Sequence, residues 1–154
     1  KAQIDAGCEI IGMGDAVCSQ IDGDTYNQYV KNRHKELISY IHEHGGKVKL
    51  HICGNTKHLI PFYRDLNIDI LDLDWQVDID YAREILGENI ILGGNINPVL
   101  VQDKTSDEVS QLSRNLVDEY RGERYLLSAG CEITVLTPPE NLKAMYNAAS
   151  FVAI

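Results

Sequence analysis

Short apolar runs alternate with longer segments whose apolar residues recur at helical spacing, and this alternation occurs five times along the chain. The apolar runs predict strands at 8–13, 47–52, 68–75, 89–95 and 125–129. The segments after them predict amphipathic helices at 26–41, 59–66, 79–86, 109–120 and 142–146, with N-caps at Thr56, Asp78, Thr105 and Thr137. Asn97-Pro98 is expected to form a turn. The chain is therefore predicted to contain five strand-helix units.

Near-continuous apolar strands alternating with helices are typical of a parallel sheet covered by helices, which puts the chain in the α/β class. A doubly wound sheet and a (β/α)8 TIM barrel both have this pattern. A dinucleotide-binding doubly wound fold would carry Gly-x-Gly-x-x-Gly after a strand, and Val17 stands where Gly12-Met-Gly14 would need its third glycine. We therefore predict a TIM barrel. About three further units are expected upstream of Lys1, unless a partner chain or second copy covers the open edge.

The composition argues against several classes of function. A chain of 154 residues with 44% hydrophobic content can bury a core, and its net charge of −9 argues against a nucleic-acid partner. Since no run of 18 apolar residues and no basic, apolar leader is present, we expect a cytoplasmic protein that does not cross a membrane. Its four cysteines are then expected to be thiols or metal ligands. Cys8, in the first strand, and Cys18, in the loop after it, are given no ligand role.

Residues with reactive or metal-binding side chains stand where the predicted strands end, which is where TIM barrels gather their chemistry. They are Asp15, His51, Cys53, Asp74, Asn95, Cys131 and Glu132. His51 and Cys53 are two residues apart on one strand and point to the same side. Imidazole and thiolate are ligands that zinc prefers, and Cys131 is the third candidate. Without Cys131, a His-x-Cys pair in a buried strand would usually be structural.

Several motifs carry a resemblance to a known family. They are His51-Ile-Cys-Gly-Asn55, Leu73-Asp-Trp75, Gly93-Gly-Asn-Ile-Asn-Pro98, Ala129-Gly-Cys-Glu132 and Thr137-Pro-Pro-Glu-Asn141. Together they resemble the C-terminal part of the uroporphyrinogen decarboxylase superfamily, and within it the zinc-dependent, corrinoid-linked methyltransferases. The resemblance covers residues 1–154 and implies strands four to eight of a barrel whose first three strands lie outside this sequence. It implies zinc held by His51, Cys53 and Cys131, a site that the true decarboxylases lack.

The resemblance also implies a role for the neighbouring polar residues. Asp74 is expected to be an exchangeable fourth zinc ligand, with Glu132, Asp15, water or substrate as alternatives, and Asp74 and Glu132 are the expected catalytic residues. Asn95 is expected to face the site, and it and Asp15 are the candidates for contact with a cofactor. The implied reaction is methyl transfer between a corrinoid, carried by a partner protein, and a small thiol or methyl ether. A metal-free decarboxylase and an inactive fragment are the alternatives.

The remaining polar residues are expected to be structural. The four histidines in helical or helix-end segments, His34, His42, His44 and His58, are predicted to be solvated. Asp72 is predicted to lie in a polar layer inside the barrel, because the interior of such a barrel is filled by layers of side chains.

Overall fold

The computed structural model describes residues 1–150, which form a five-stranded parallel sheet with helices between the strands. The strands are β1 (Ile10–Gly14), β2 (Lys47–His51), β3 (Ile70–Asp72), β4 (Ile91–Ile96) and β5 (Tyr125–Ala129). Neighbours in sequence are neighbours in the sheet, in the order β1-β2-β3-β4-β5. A doubly wound sheet reverses its strand order at a switch point, and no reversal occurs here. The predicted α/β fold with five βα units of a barrel is confirmed.

All the helices except the first and the last lie between successive strands. They are α1 (Ala2–Asp5), α2 (Gly23–Thr25), α3 (Lys31–Glu43), α4 (Ile60–Tyr63), α5 (Ile79–Leu86), α6 (Pro98–Asp103), α7 (Ser106–Glu119) and α8 (Pro139–Ser150). A π-helical turn at Tyr26–Val30 leads into α3, and 3-10 turns occupy Ala16–Gln20 and Lys57–Leu59. Among residues 1–150, none of the helices has both the length and the apolar character needed to cross a membrane.

The strands separate an apolar face from a polar one. Along β2, Val48 and Leu50 are completely buried against the helices, whereas Lys49 and His51 are only partly buried. This alternation follows from the two-residue period of a strand. The main core therefore lies between the sheet and its helices, and the opposite face of the sheet is free to carry polar side chains.

Local signals explain where several helices begin. The side chains of Thr105 and Glu108 form the predicted capping box at the start of α7, and the Asp78 carboxylate accepts the N–H of Tyr81 to cap α5. The predicted capping bond of Thr56 is wrong, because the chain there enters a 3-10 turn before α4 and the Thr56 side chain makes no cap.

Two other predictions need correction. Asn97-Pro98 does not simply turn but opens α6, because Asn97 caps the helix and proline is well tolerated at its first position. Cys8 is exposed and precedes β1 rather than lying in a buried strand. The reason is that β1 is an edge strand, so its residues alternate between exposed and partly buried positions.

Candidate metal centre

The end of β2 and the turn after it carry two of the predicted ligands. His51 is the last residue of β2, and Cys53 follows just before Gly54, which turns the chain with a φ of +89°. The turn places the Cys53 Sγ atom 3.3 Å from the His51 Nε2 atom. Both side chains are partly buried. A sulfur and an imidazole nitrogen thus face one another at the carboxyl edge of the sheet.

Cys131 reaches the same place from β5, which is not a neighbour of β2 in the sheet. Gly130 donates its N–H to the Ile96 carbonyl at 2.8 Å, which fixes the chain just before Cys131. A Cβ atom on Gly130 would lie 2.3 Å from the Trp75 nitrogen, so the two backbones approach more closely than any other residue would permit. The Cys131 Sγ atom consequently lies 3.5 Å from the Cys53 Sγ atom.

The imidazole of His51 has a defined orientation. Its Nδ1 atom lies 2.9 Å from the backbone carbonyl oxygen of Asp72, which can only accept, so Nδ1 carries the proton and Nε2 presents its lone pair to the thiols. The Asp72 carboxylate in turn accepts from the Lys49 amine at 2.8 Å and from the Ser128 hydroxyl at 3.1 Å. Asp72 therefore lies in a polar layer under the site. Such outer partners fix the tautomer of metal-binding histidines.

The electrostatics favour a neutral Cys53 thiol when no cation is near. Burial, followed by the hydrogen bond with Cys131 and the charges of Cys131 and Asp74, raises the pKa of the Cys53 thiol to about 11. A cation bound between the sulfurs would reverse this balance, since a coordinated thiol is deprotonated. Within residues 1–150, ligand atoms of His51, Cys53 and Cys131 all lie within 4.8 Å of one another, and no other predicted site residue joins this group.

Asp74 is buried beside the group, and its carboxylate is already engaged. Its two oxygens accept the backbone N–H groups of Gly54 at 2.7 Å and Gln76 at 3.0 Å. These bonds hold the turn that carries Cys53. To reach a metal as a fourth ligand, Asp74 would have to release one of them, so its predicted role as an exchangeable ligand stays a prediction.

The other predicted site residues take different positions. Asn95 donates from its side chain to the carbonyl oxygen of Val77 at 2.6 Å and so holds the loop after β3. Glu132 is exposed and lines a cavity of about 540 Å³ beside the site. Asp15 follows β1 and pairs with the Nε2 atom of His34 at 3.2 Å instead of facing the three ligands.

Two further residues, absent from the predicted site, also border it. Lys49 and Ser128 line the same cavity as His51, Asp72 and Cys131. Lys49 could have been found, because it lies two residues before His51 and so shares its strand face. His34 was predicted to be solvated, which is wrong: only 4% of it is exposed, since its ring bonds Tyr26 and Asp15. His42 is also only partly exposed and bonds the Asp69 carboxylate at 2.8 Å.

Comparisons with known proteins agree on one family. Residues 1–151 match the family described as uroporphyrinogen decarboxylase (URO-D). The chain is 32% identical over 97% of its length to a methylcobamide:CoM methyltransferase, MtbA, of Methanosarcina acetivorans. It is 31% identical over 99% of its length to a uroporphyrinogen decarboxylase of a Synechococcus species. A solved methyltransferase from Methanosarcina mazei superposes with a TM-score of 0.86 at 25% identity, covering 99% of this chain and 45% of the other. The chain spans 44% and 43% of the lengths of those two relatives.

Proposed function

The chain belongs to the uroporphyrinogen decarboxylase family, and from this premise we propose that it supplies the zinc site of a corrinoid-linked methyltransferase. The reaction would move a methyl group between a methylcobamide, carried by a partner protein, and a small thiol or methyl ether. The relative from Methanosarcina acetivorans, named as a methylcobamide:CoM methyltransferase, supports this class of reaction. The observation that carries the proposal is the approach of three zinc-type ligands from two separate strand ends.

The spacing of the three ligand atoms fits zinc. In a tetrahedral zinc site with the usual bond lengths, two sulfurs lie about 3.75 Å apart, and a sulfur and a nitrogen lie about 3.6 Å apart. The distances here are 3.5 Å between the two sulfurs and 3.3 Å between the Cys53 sulfur and the His51 nitrogen. Small outward movements of the side chains would suffice to admit the ion, and one coordination position would stay open for substrate or water.

The residues of the chain prepare this site in distinct ways. The Asp72 carbonyl holds the Nδ1 proton of His51, Asp74 fixes the turn at Cys53, and Gly130 brings Cys131 within reach. When bound there, zinc would supply a Lewis acid that lowers the pKa of a thiol substrate or withdraws charge from an ether oxygen. Glu132 at the cavity wall is the proposed group for proton exchange with the substrate, and Asp74 is the proposed exchangeable ligand.

A second candidate is a carboxy-lyase of the uroporphyrinogen decarboxylase type that uses no metal. The Synechococcus relative, which is nearly as similar to this chain as the methyltransferase relative, favours it. Two thiols 3.5 Å apart next to an imidazole would have no evident purpose in such an enzyme. The two candidates differ in their need for metal.

The test compares metal content and activity in the complete gene product that contains this chain. The methyltransferase proposal expects zinc bound tightly by His51, Cys53 and Cys131, and methyl transfer from methylcobalamin to a thiol. Cys53→Ser should lose the zinc of this site and the methyl transfer. Cys8→Ser is the matched control, because Cys8 is an exposed thiol outside the site. Decarboxylation of a porphyrinogen at full rate after removal of metal would instead establish the second candidate. The chain by itself is expected to lack turnover, because five strands form only part of a barrel mouth.

A further inference from the structure

A second group of metal-binding side chains lies next to the first and has no part in the reaction proposed above. It consists of Asp15 after β1, Cys18 in the Ala16–Gln20 turn and His34 in α3. One ligand atom from each lies within 4.8 Å of the other two. We propose that these three residues bind a second divalent transition-metal ion, for which zinc is the best match, and that this ion fixes the turn beside the first site.

The donor set selects the kind of ion. A carboxylate, a thiolate and an imidazole suit zinc and its neighbours in the transition series, whereas magnesium and calcium require oxygen ligands. Binding would displace the thiol proton of Cys18 into solvent. The two positive charges of the ion would then be balanced by the Cys18 thiolate and the Asp15 carboxylate, so that the buried group becomes neutral overall.

His34 is oriented as metal-binding histidines usually are. Its Nδ1 atom lies 2.9 Å from the Tyr26 hydroxyl, which can serve as the outer partner that fixes the ring. Its Nε2 atom faces the Asp15 carboxylate at 3.2 Å. Nitrogen and oxygen ligands on a tetrahedral zinc ion lie about 3.35 Å apart, so this pair is already at ligand spacing. The ring of His34 is almost completely buried, whereas the Asp15 side chain is partly exposed to solvent.

The segments that carry the second group make short contacts with the segment that carries His51 and Cys53. The Asp15 N–H donates to the His51 carbonyl at 3.2 Å. The Ser19 side chain lies within 3.3 Å of the position that a Cβ atom on Gly54 would occupy. An ion that holds the Ala16–Gln20 turn would therefore restrict the segment that carries His51 and Cys53. Its role would be positional, without contact with the substrate.

The test is a zinc titration of the complete gene product after removal of metal with a chelator. We expect two zinc ions per chain in the wild type and in the Cys8→Ser control, and one in Cys18→Ser and in Cys53→Ser. The ion lost from Cys53→Ser belongs to the methyl-transfer site, so the two proposals can fail separately. Equal zinc content in the wild type and in Cys18→Ser, whether one ion or two, would show that Asp15, Cys18 and His34 form only a hydrogen-bonded network.

A second measurement covers the case in which Cys18→Ser does not fold, as judged by its circular dichroism. Titration of metal-free wild-type protein with Co²⁺ would then report on the ligands directly, because thiolate bound to cobalt absorbs strongly in the near ultraviolet. A second equivalent that adds this absorption supports the proposal. A second equivalent that adds none overturns it.

Discussion

Substitution of Gly130 by alanine should damage the metal centre through the backbone without touching a ligand. The added Cβ atom would lie 2.3 Å from the Trp75 nitrogen and 2.7 Å from its Cα atom, both of which are backbone atoms. The gap would have to open by about 1.1 Å to reach ordinary contact at 3.4 Å. Cys131 is the next residue, and metal-ligand distances tolerate changes of only about 0.2 Å. We therefore expect Gly130→Ala to lose both zinc affinity and stability.

The expected magnitude follows from overpacking. Forcing an extra carbon into a packed region typically costs about 1–3 kcal/mol, and about 2 kcal/mol corresponds to a fall of about 4–8 °C in Tm for a domain of this size. Zinc affinity should fall about 10- to 100-fold, as it does when the support of a ligand is removed. Thermal unfolding and competition with a chromogenic zinc chelator would measure the two effects.

Gly12→Ala is the matched control for this substitution. A Cβ atom on Gly12 would meet nothing within 4 Å, and Gly12 does not require a positive φ, so its replacement should leave Tm and zinc affinity nearly unchanged. If Gly130→Ala behaved like Gly12→Ala in both assays, the close approach of β5 to the Trp75 segment could not be what positions Cys131.

Three further outcomes are expected. Thr105→Ala should lower the free energy of unfolding by about 1 kcal/mol in urea denaturation, because it removes the capping box of α7; an unchanged midpoint would contradict this role. The pKa of Glu108 is lowered from 4.5 to about 2, mainly by its hydrogen bond with Lys104. The contribution of Glu108 to the stability of the fold is therefore present above pH 4.5 and is lost as pH falls towards 2. The Tm difference between wild type and Glu108→Gln should therefore shrink over that range, and a constant difference would refute it. Burial raises the pKa of Cys18 to about 12, so iodoacetamide should modify exposed Cys8 well before Cys18 in folded, metal-free protein, as peptide mass spectrometry would detect. Equal rates for the two thiols would contradict the burial of Cys18.

The fold could be predicted because strands and helices leave periodic signals. In β2, apolar Val48 and Leu50 alternate with Lys49 and His51, and the structure keeps this alternation. The same two-residue period predicted that the side chains of His51 and Cys53 point to the same side of the strand. Cys131 could be included only because strands of a barrel end at a common mouth. Periodicity thus predicts which strand ends meet but gives no distance between the side chains.

Around the candidate site, the sequence could not predict contacts between elements distant in the chain. His34 has the sequence context of a solvated helical residue, and only its contacts with Tyr26 and Asp15 bury it. No local pattern links Asp15, Cys18 and His34, because a strand end, a 3-10 turn and a helix bring them together. The hydrogen bonds from the Gly54 and Gln76 backbone N–H groups to the Asp74 carboxylate likewise could not be predicted from the sequence. Such contacts depend on tertiary packing, for which neither spacing nor propensity is a signal.

The most direct test of the account is a crystal structure of the zinc-loaded protein with anomalous diffraction data collected at the zinc absorption edge. The account predicts an anomalous peak bonded to the Nε2 atom of His51 and to the sulfurs of Cys53 and Cys131, at about 2.0–2.1 Å and about 2.3 Å respectively. Absence of a peak between these three atoms in zinc-saturated crystals, or a disulfide joining the two sulfurs, would contradict it.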